Sequence, residues 1–186
     1  MPATFTEPTT TPTPTVDLNA LRAWLRLSDP GIDETLRMLH DAAAELIESE
    51  TRLAIAPRVI ELQLTRDQIG HAHRLPRGPF LDVVEIAATR DGQETSVDAT
   101  AIVTHDGRLP GCITIDDPGV PFDALVVRFR LGHAELPPRI RLVIFQLVAH
   151  WETHREAATG DAPPRELPLA YRHIVATLNT HQDAIT

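Results

Sequence analysis

Apolar side chains recur at helical spacing in two early stretches of the chain. The first stretch carries Leu18, Leu21 and Leu25. Asp17 precedes it and is a residue type suited to cap a helix N-terminus. After the breaker Ser28–Gly31, a second apolar stripe runs from Ile32 to Ile47, and acidic residues mark its other face. The pattern therefore predicts two helices, the second ending near Thr51.

The pattern in the middle of the chain predicts short β-strands. Apolar and polar positions alternate there, or form short apolar runs, in Val59–Thr65, Val83–Thr89, Val97–Val103, Ile113–Ile115 and Leu125–Leu131. Turn signals separate these runs, at Pro76–Pro79, Asp91–Gly92, Asp106–Gly107 and Asp116–Gly119. Several short strands with regular turns are typical of a small antiparallel sheet or barrel.

Helical spacing returns in the last part of the chain. Leu136–Pro138 predicts a helix start, because proline is tolerated in a first turn. A wide apolar face follows from Ile140 to Trp151, and a last short helix is predicted at Leu169–Leu178. The element order predicts an α+β, mainly helical fold. In it, a four-helix bundle carries a small antiparallel β domain inserted between helices 2 and 3.

The corresponding domain boundaries are 1–15 for a flexible Thr/Pro arm, 16–56 for helices 1 and 2, 57–134 for the inserted β domain, and 135–186 for helices 3 and 4. The arm has the composition of an extended segment that cannot build a core. It is either a disordered tail or an arm that orders against a partner.

Composition narrows the function classes. The net charge is −9, and all 17 basic residues are arginine. An acidic chain is poorly suited to bind the outside of DNA, because phosphate contacts need clustered cations. Cys112 is the only cysteine, so no intramolecular disulfide is possible and a reducing compartment is expected. We interpret its thiol as a small buried hydrophobe.

Two sequence features could carry chemistry, and neither is well formed. His150 and His154 share a helical face, which suits zinc, but Trp151 occupies the slot where a metalloprotease has its glutamate. The first two helices and the break between them have the form of a helix-turn-helix, but Asp33-Glu34 would bring negative charge to phosphate. A metal-dependent enzyme and a DNA-binding module therefore remain only alternatives, and we expect no cofactor, no resident metal and no catalysis.

An ordered set of motifs resembles the head–tail connector (adaptor) proteins of tailed bacteriophages and gene transfer agents. The segment from His150-Trp151 to Arg155-Glu156 is similar to the family's "HWyenRE" signature. The other similar segments are Val16–Leu27, Asp33–Leu36 with Ala42–Glu48, Glu50–Ala54, Leu75–Phe80, Arg130–Gly132 and Leu136–Arg141. The chain departs from the family at Arg22, where lysine is usual, at Thr153-His154, and in its extra Thr/Pro arm.

The resemblance implies a structural subunit of the neck of a virion or virus-like particle, assembled in the bacterial cytoplasm. It implies a ring of copies of this chain, expected to be a dodecamer, beneath the portal protein. The ring would extend the DNA channel, through which DNA passes without sequence-specific binding, and would dock the next neck or tail protein (a stopper or tail-terminator). No membrane is involved, and phage and gene transfer agent are not distinguished.

The candidate interface residues lie in the last two predicted helices and the loop between them. Arginine forks pair bidentately with carboxylates, which favours Arg at subunit contacts. The candidates for portal or oligomer contacts are Arg139, Arg141, Trp151, Arg155, Arg165, Tyr171, Arg172, Ile174 and Leu178. We expect Trp151 to anchor helix 3 on the bundle, and the segment from about Pro163 to Thr186 to dock on the portal.

Overall fold

A computed structural model describes residues 4–6, 17–98, 102–153 and 171–177. The chain divides into two units. The β unit comprises Arg52–Ala134 together with a short N-terminal strand, and the helical unit contains the α-helices of the described residues.

The helical unit consists of α1 (Leu18–Leu25), α2 (Asp33–Thr51), α3 (Pro138–Thr153) and α4, which is described over residues 171–177. The expected cap is confirmed, because the Asp17 side chain accepts a hydrogen bond from the Asn19 amide at 2.8 Å. Helices α1 and α3 both pack against α2. The side chains that form its core are Leu21, Leu36, Ala43, Ile47, Ile140, Val143, Ile144, Leu147, Val148, Tyr171 and Val175.

The β unit contains two antiparallel sheets. The larger sheet has the order β1–β2–β8–β4–β5, from β1 (Thr4–Thr6), β2 (Arg58–Leu64), β8 (Ala124–Leu131), β4 (Phe80–Arg90) and β5 (Gln93–Val97). The smaller sheet has the order β3–β7–β6, from β3 (Ala72–Arg74), β7 (Cys112–Ile115) and β6 (Val103–His105). One hydrophobic cluster takes the inward side chains of β2, β4, β8 and β7, with Phe129 and Leu125 fully buried.

The expectation of a mainly helical fold is wrong. The described residues hold eight strands in two antiparallel sheets, beside the four helices. The fold is therefore a mixed α+β fold with a substantial sheet. Three strands, β1, β3 and β5, were absent from the sequence prediction, and the stretch predicted as one strand from Val97 to Val103 instead ends β5 and begins β6.

The physical reason is the short length or the exposure of these strands. Strands β1 and β3 are only three residues long, too short to show an alternation, and nearly all side chains of β5 are exposed and polar. They form because a neighbouring strand supplies hydrogen-bond partners, which is a tertiary effect that local pattern does not report.

Candidate functional site

A ladder of ion pairs covers the outward face of the larger sheet. Arg128 on β8 donates from Nε to Glu61 on β2 at 3.0 Å and from Nη1 to Glu85 on β4 at 2.8 Å. One step along β8, Arg130 donates from Nε to Oδ1 of Asp82 at 2.7 Å and from Nη2 to its Oδ2. The hydrogen bonds from Arg130 hold the pKa of the Asp82 carboxyl below its usual value. Every carboxylate in the ladder has a cation, so it offers no free acid–base pair.

Two irregularities in β4 build this ladder. The register shifts between Phe80 and Asp82 and again between Val83 and Glu85. Residues 82 and 85 would face opposite sides of a regular strand, because side chains alternate. The shifts bring both carboxylates to the outward face, opposite Arg130 and Arg128.

Residues from three of the segments that resemble the connector family form backbone contacts where the chain enters and leaves the β unit. Leu53 bridges to Gly78, and the Ala54 amide donates to the Gly78 carbonyl at 2.7 Å. The Gly132 amide donates to the Pro79 carbonyl at 2.8 Å. Gly132 has a φ of 121°, and a Cβ placed there would lie 2.6 Å from the Ala56 carbonyl oxygen. These motif residues therefore determine the fold and are not exposed chemical groups.

The loop between β6 and β7 is a structural turn. One oxygen of Asp106, Oδ1, accepts hydrogen bonds from the amides of Arg108 and Cys112, both at 3.0 Å. The His105 ring stacks on Phe80 with centroids 4.7 Å apart. Cys112 is partly buried. These groups serve the turn and the ring stack, which is consistent with a structural cysteine.

Exposed apolar and basic side chains lie together on α1 and α3. The Trp24 side chain is 51% exposed, and its ring packs on Phe145 of α3 with centroids 6.0 Å apart. Leu142, one turn before Phe145, is 38% exposed. Arg139 and Arg141 flank Leu142, are exposed, and form no ion pair with another described residue. We call Trp24, Arg139, Arg141 and Leu142 the basic face.

The solvent side of α2 carries mainly the opposite charge, with Arg37 as an exposed cation at the edge of the acidic stripe. Glu34, Met38, Asp41 and Glu45 are spaced at intervals of four, three and four residues, which places them on one helical stripe. All four are exposed, and Met38 is 62% exposed. Leu36, Ala43 and Ile47 lie on the opposite, buried side of the same helix. We call the exposed stripe of Glu34, Met38, Asp41 and Glu45 the acidic face.

Among the described residues, the candidates on α3 lie at its two ends. Arg139 and Arg141 are exposed near the start of α3, whereas Trp151 is partly buried near its end, roughly 15 Å along the axis. Arg172 is exposed and Ile174 is partly buried on α4. The other candidates, Arg155, Arg165 and Leu178, lie outside the described residues.

Tyr171 is the exception among the candidates because it is buried. Only 1% of its surface is exposed. Burial and then the neighbouring Glu50 carboxylate raise the pKa of its phenol well above the usual value. Glu50 belongs to α2, so Tyr171 attaches α4 to the bundle of its own subunit. As folded, Tyr171 reaches a partner only if α4 moves.

No metal site is formed by the residues that the structure describes, since no three His, Cys, Asp or Glu side chains lie close enough to share an ion. His150 is partly buried, and its proposed co-ligand His154 lies outside the described ranges. Asp33 begins the helix that a helix-turn-helix would place against DNA, and its carboxylate forms an ion pair with Arg22 at 3.4 Å. None of the described helices is both long and apolar enough to cross a membrane.

The exposure of Trp24 and Met38 was not predicted from the sequence, although the pattern of residues indicates it for both. Trp24 lies off the stripe formed by Leu18, Leu21 and Leu25, and Met38 falls among the acidic positions of α2 instead of on its apolar stripe. A helical projection that compares large apolar residues with their neighbours on the same face would have found both.

The chain is similar to chains of gene transfer agent particles. The likeness covers 94% of this chain and 94% of the other at 22% identity in each case. The TM-score is 0.69 for the neck of an empty particle solved with C6 symmetry, 0.68 for the virion of a native particle, and 0.65 for the neck of a native particle solved with C12 symmetry. No protein-family model and no curated protein matches the chain. The connector resemblance is thus confirmed at the level of the fold.

Proposed function

We propose that this chain is a structural head–tail connector subunit. It forms a ring under the portal of a phage-like particle, extends the DNA channel and joins the capsid to the tail. The observation that carries this proposal is the likeness over nearly the full length of both chains to proteins in gene transfer agent necks. A fold shared from end to end supports a shared structural role more than a shared motif does.

The surface chemistry supports a scaffold and not an enzyme. The ion-pair ladder on the sheet satisfies its own carboxylates, and the described residues form no metal cluster. The net charge of −9 suits a channel component, because an acidic surface repels phosphate and lets DNA pass without being held.

The partners in this proposal are further copies of the chain, the portal protein and the next neck or tail protein. The related necks were solved with C6 and C12 symmetry, which supports a ring and favours the dodecamer expected from the sequence. A ring of identical subunits needs a contact that joins two different surfaces of the chain. Arg139 and Arg141 are candidates for such a contact. Both are exposed, and neither forms an ion pair with a described residue.

The C-terminal segment is proposed to dock on the portal. Tyr171 and Val175 attach α4 to its own bundle, so Arg172, His173 and Ala176 are the exposed side chains of α4. Deleting residues 166–186 should leave heads without this protein bound. Because the deletion also removes buried Tyr171, Ala176→Glu is the milder variant: it adds one charge to the exposed side. If both variants melt cooperatively and still join portal-containing heads, the segment is not the dock.

A genetic experiment tests the function itself. Cells that produce the particle without this chain should accumulate DNA-filled heads that lack tails, and supplying the chain should restore tailed particles. The Gly119→Ala variant serves as a mildly strained but folded control, because nothing lies within 4 Å of a Cβ at that exposed turn and only its φ of 72° is unfavourable. Normal yields of tailed particles without the chain would refute the connector role.

A further inference from the structure

The helical unit carries two exposed faces of opposite charge, each with large apolar side chains inside it. On the basic face, Arg139 and Arg141 surround Leu142, and Trp24 lies against the next turn of α3. On the acidic face, Glu34, Asp41 and Glu45 surround Met38. Exposed Trp, Met and Arg are the residue types enriched in the buried centres of protein interfaces.

The two faces complement each other in charge and in apolar content. An isolated exposed arginine or glutamate is unremarkable in itself, but here each charged set encloses an apolar side chain at least 38% exposed. Burying those apolar groups against each other would bring the arginines next to the carboxylates. Charge-assisted pairs at the rim of an apolar contact give orientation and specificity.

Each face carries mainly one sign of charge, so packing a face on its own copy across a twofold axis would bring like charges together. A contact between them is heterologous: one surface of a copy meets a different surface of the next copy. Contacts of that kind close into a ring when the rotation between neighbours divides a full circle, and otherwise give an open filament.

We propose that the basic face of one copy packs on the acidic face of the next copy. Trp24 and Leu142 then cover Met38, while Arg139 and Arg141 pair with Glu34 and Glu45. This inference rests on the proposed ring and names the surfaces that build it. The occupant of each face is another copy of the chain, because the chain itself presents both complementary surfaces.

A charge-swap experiment on the full-length protein tests the contact. Variant A carries Arg139→Glu and Arg141→Glu, and variant B carries Glu34→Arg and Glu45→Arg. Asp41 is left intact because it contacts the Nδ1 atom of buried His40 at 2.9 Å. Ring formation on the purified portal is counted by electron microscopy and native mass measurement, with melting curves to verify folding. The control variant, Arg74→Glu with Arg90→Glu, makes the same charge change on exposed strand residues of the β unit.

Each variant alone should assemble at least about tenfold less than the parent, because like charges then face each other at every contact. An equimolar mixture should recover most of the assembly, since A and B can alternate around an even-numbered ring with opposite charges at every contact. The control should assemble like the parent.

Three outcomes separate the possibilities. If the parent itself forms no ring on the portal, the proposed function fails. If the parent forms rings and either A or B also does so alone, the proposed contact is wrong. If A and B both fail alone and their mixture fails too, the faces bind a partner other than the neighbouring copy, and the inference is likewise overturned.

Discussion

Replacing Gly132 with alanine should destabilise the β unit sharply. The residue follows β8, and its amide donates to the Pro79 carbonyl at 2.8 Å. A Cβ added there would lie 2.6 Å from the Ala56 oxygen, 2.9 Å from the Ala56 carbonyl carbon and 2.9 Å from the Pro57 Cα. All three are backbone atoms, so no side-chain rotation can relieve these contacts and the backbone must shift.

Two costs add for Gly132→Ala. The φ of 121° belongs to a region that only glycine occupies readily, and holding another residue there costs about 1–3 kcal/mol. Overpacking against fixed atoms costs about 1–3 kcal/mol more. The expected loss in the free energy of unfolding is therefore roughly 2–6 kcal/mol, a large share of the stability of an ordinary domain.

The matched control is Gly119→Ala. Gly119 has a φ of 72°, and nothing lies within 4 Å of a Cβ added to it. Only the left-handed backbone is then penalised, at about 1–2 kcal/mol. Urea denaturation of both variants and the parent gives the comparison. If Gly132→Ala costs no more than Gly119→Ala, the close approach to Ala56 is not a constraint on the fold.

Two further predictions concern ionisable groups. Tyr171 is the only tyrosine and the chain has no lysine. The unfolded chain therefore releases its phenol proton near pH 10, whereas the folded chain keeps it, because burial raises the folded pKa. The free energy of unfolding is unaffected by this group below about pH 10 and falls as pH rises above it. Tyr171→Phe should remove that pH-dependent loss. At pH 7 it should weaken the protein by no more than about 1 kcal/mol, because the hydroxyl lies beside the Glu50 carboxylate but forms no hydrogen bond of normal geometry with it. A larger loss in thermal melts at pH 7 would show that the two groups are bonded. Arg128→Met should cost no more than about 1 kcal/mol, with the difference shrinking in high salt, since its partners Glu61 and Glu85 are 35% and 46% exposed. A salt-independent loss of several kcal/mol in thermal melts would contradict that reading.

The periodicity of apolar residues predicted helices and strands correctly where one side of the element is buried. It found α2 and α3, and it found β2 and β8, whose inward residues such as Leu62 and Val127 are fully buried. It could not find β1, which is only three residues long, or β5, whose side chains are nearly all exposed and polar, so both depend on pairing with a neighbouring strand. It also could not find the two register shifts of β4, which insert extra residues without changing composition.

The candidate surfaces were harder to predict than the fold. Arg139 and Arg141 could be picked as interface candidates from residue type, and both are exposed. Tyr171 was grouped with them, although it is buried beside Glu50. Which side of α4 faces the bundle depends on where α2 lies, and the short apolar pattern of the described part of α4 did not show that Tyr171 would be on that side.

The most direct test of the account is electron cryomicroscopy of the full-length chain mixed with the portal protein of the same particle, reconstructed first without imposed symmetry. The account predicts a closed ring on the tail side of the portal, with this fold in every subunit and adjacent subunits joined through the helical unit. A portal without added density, or one with isolated copies of the chain bound and no contact between neighbours, would contradict it.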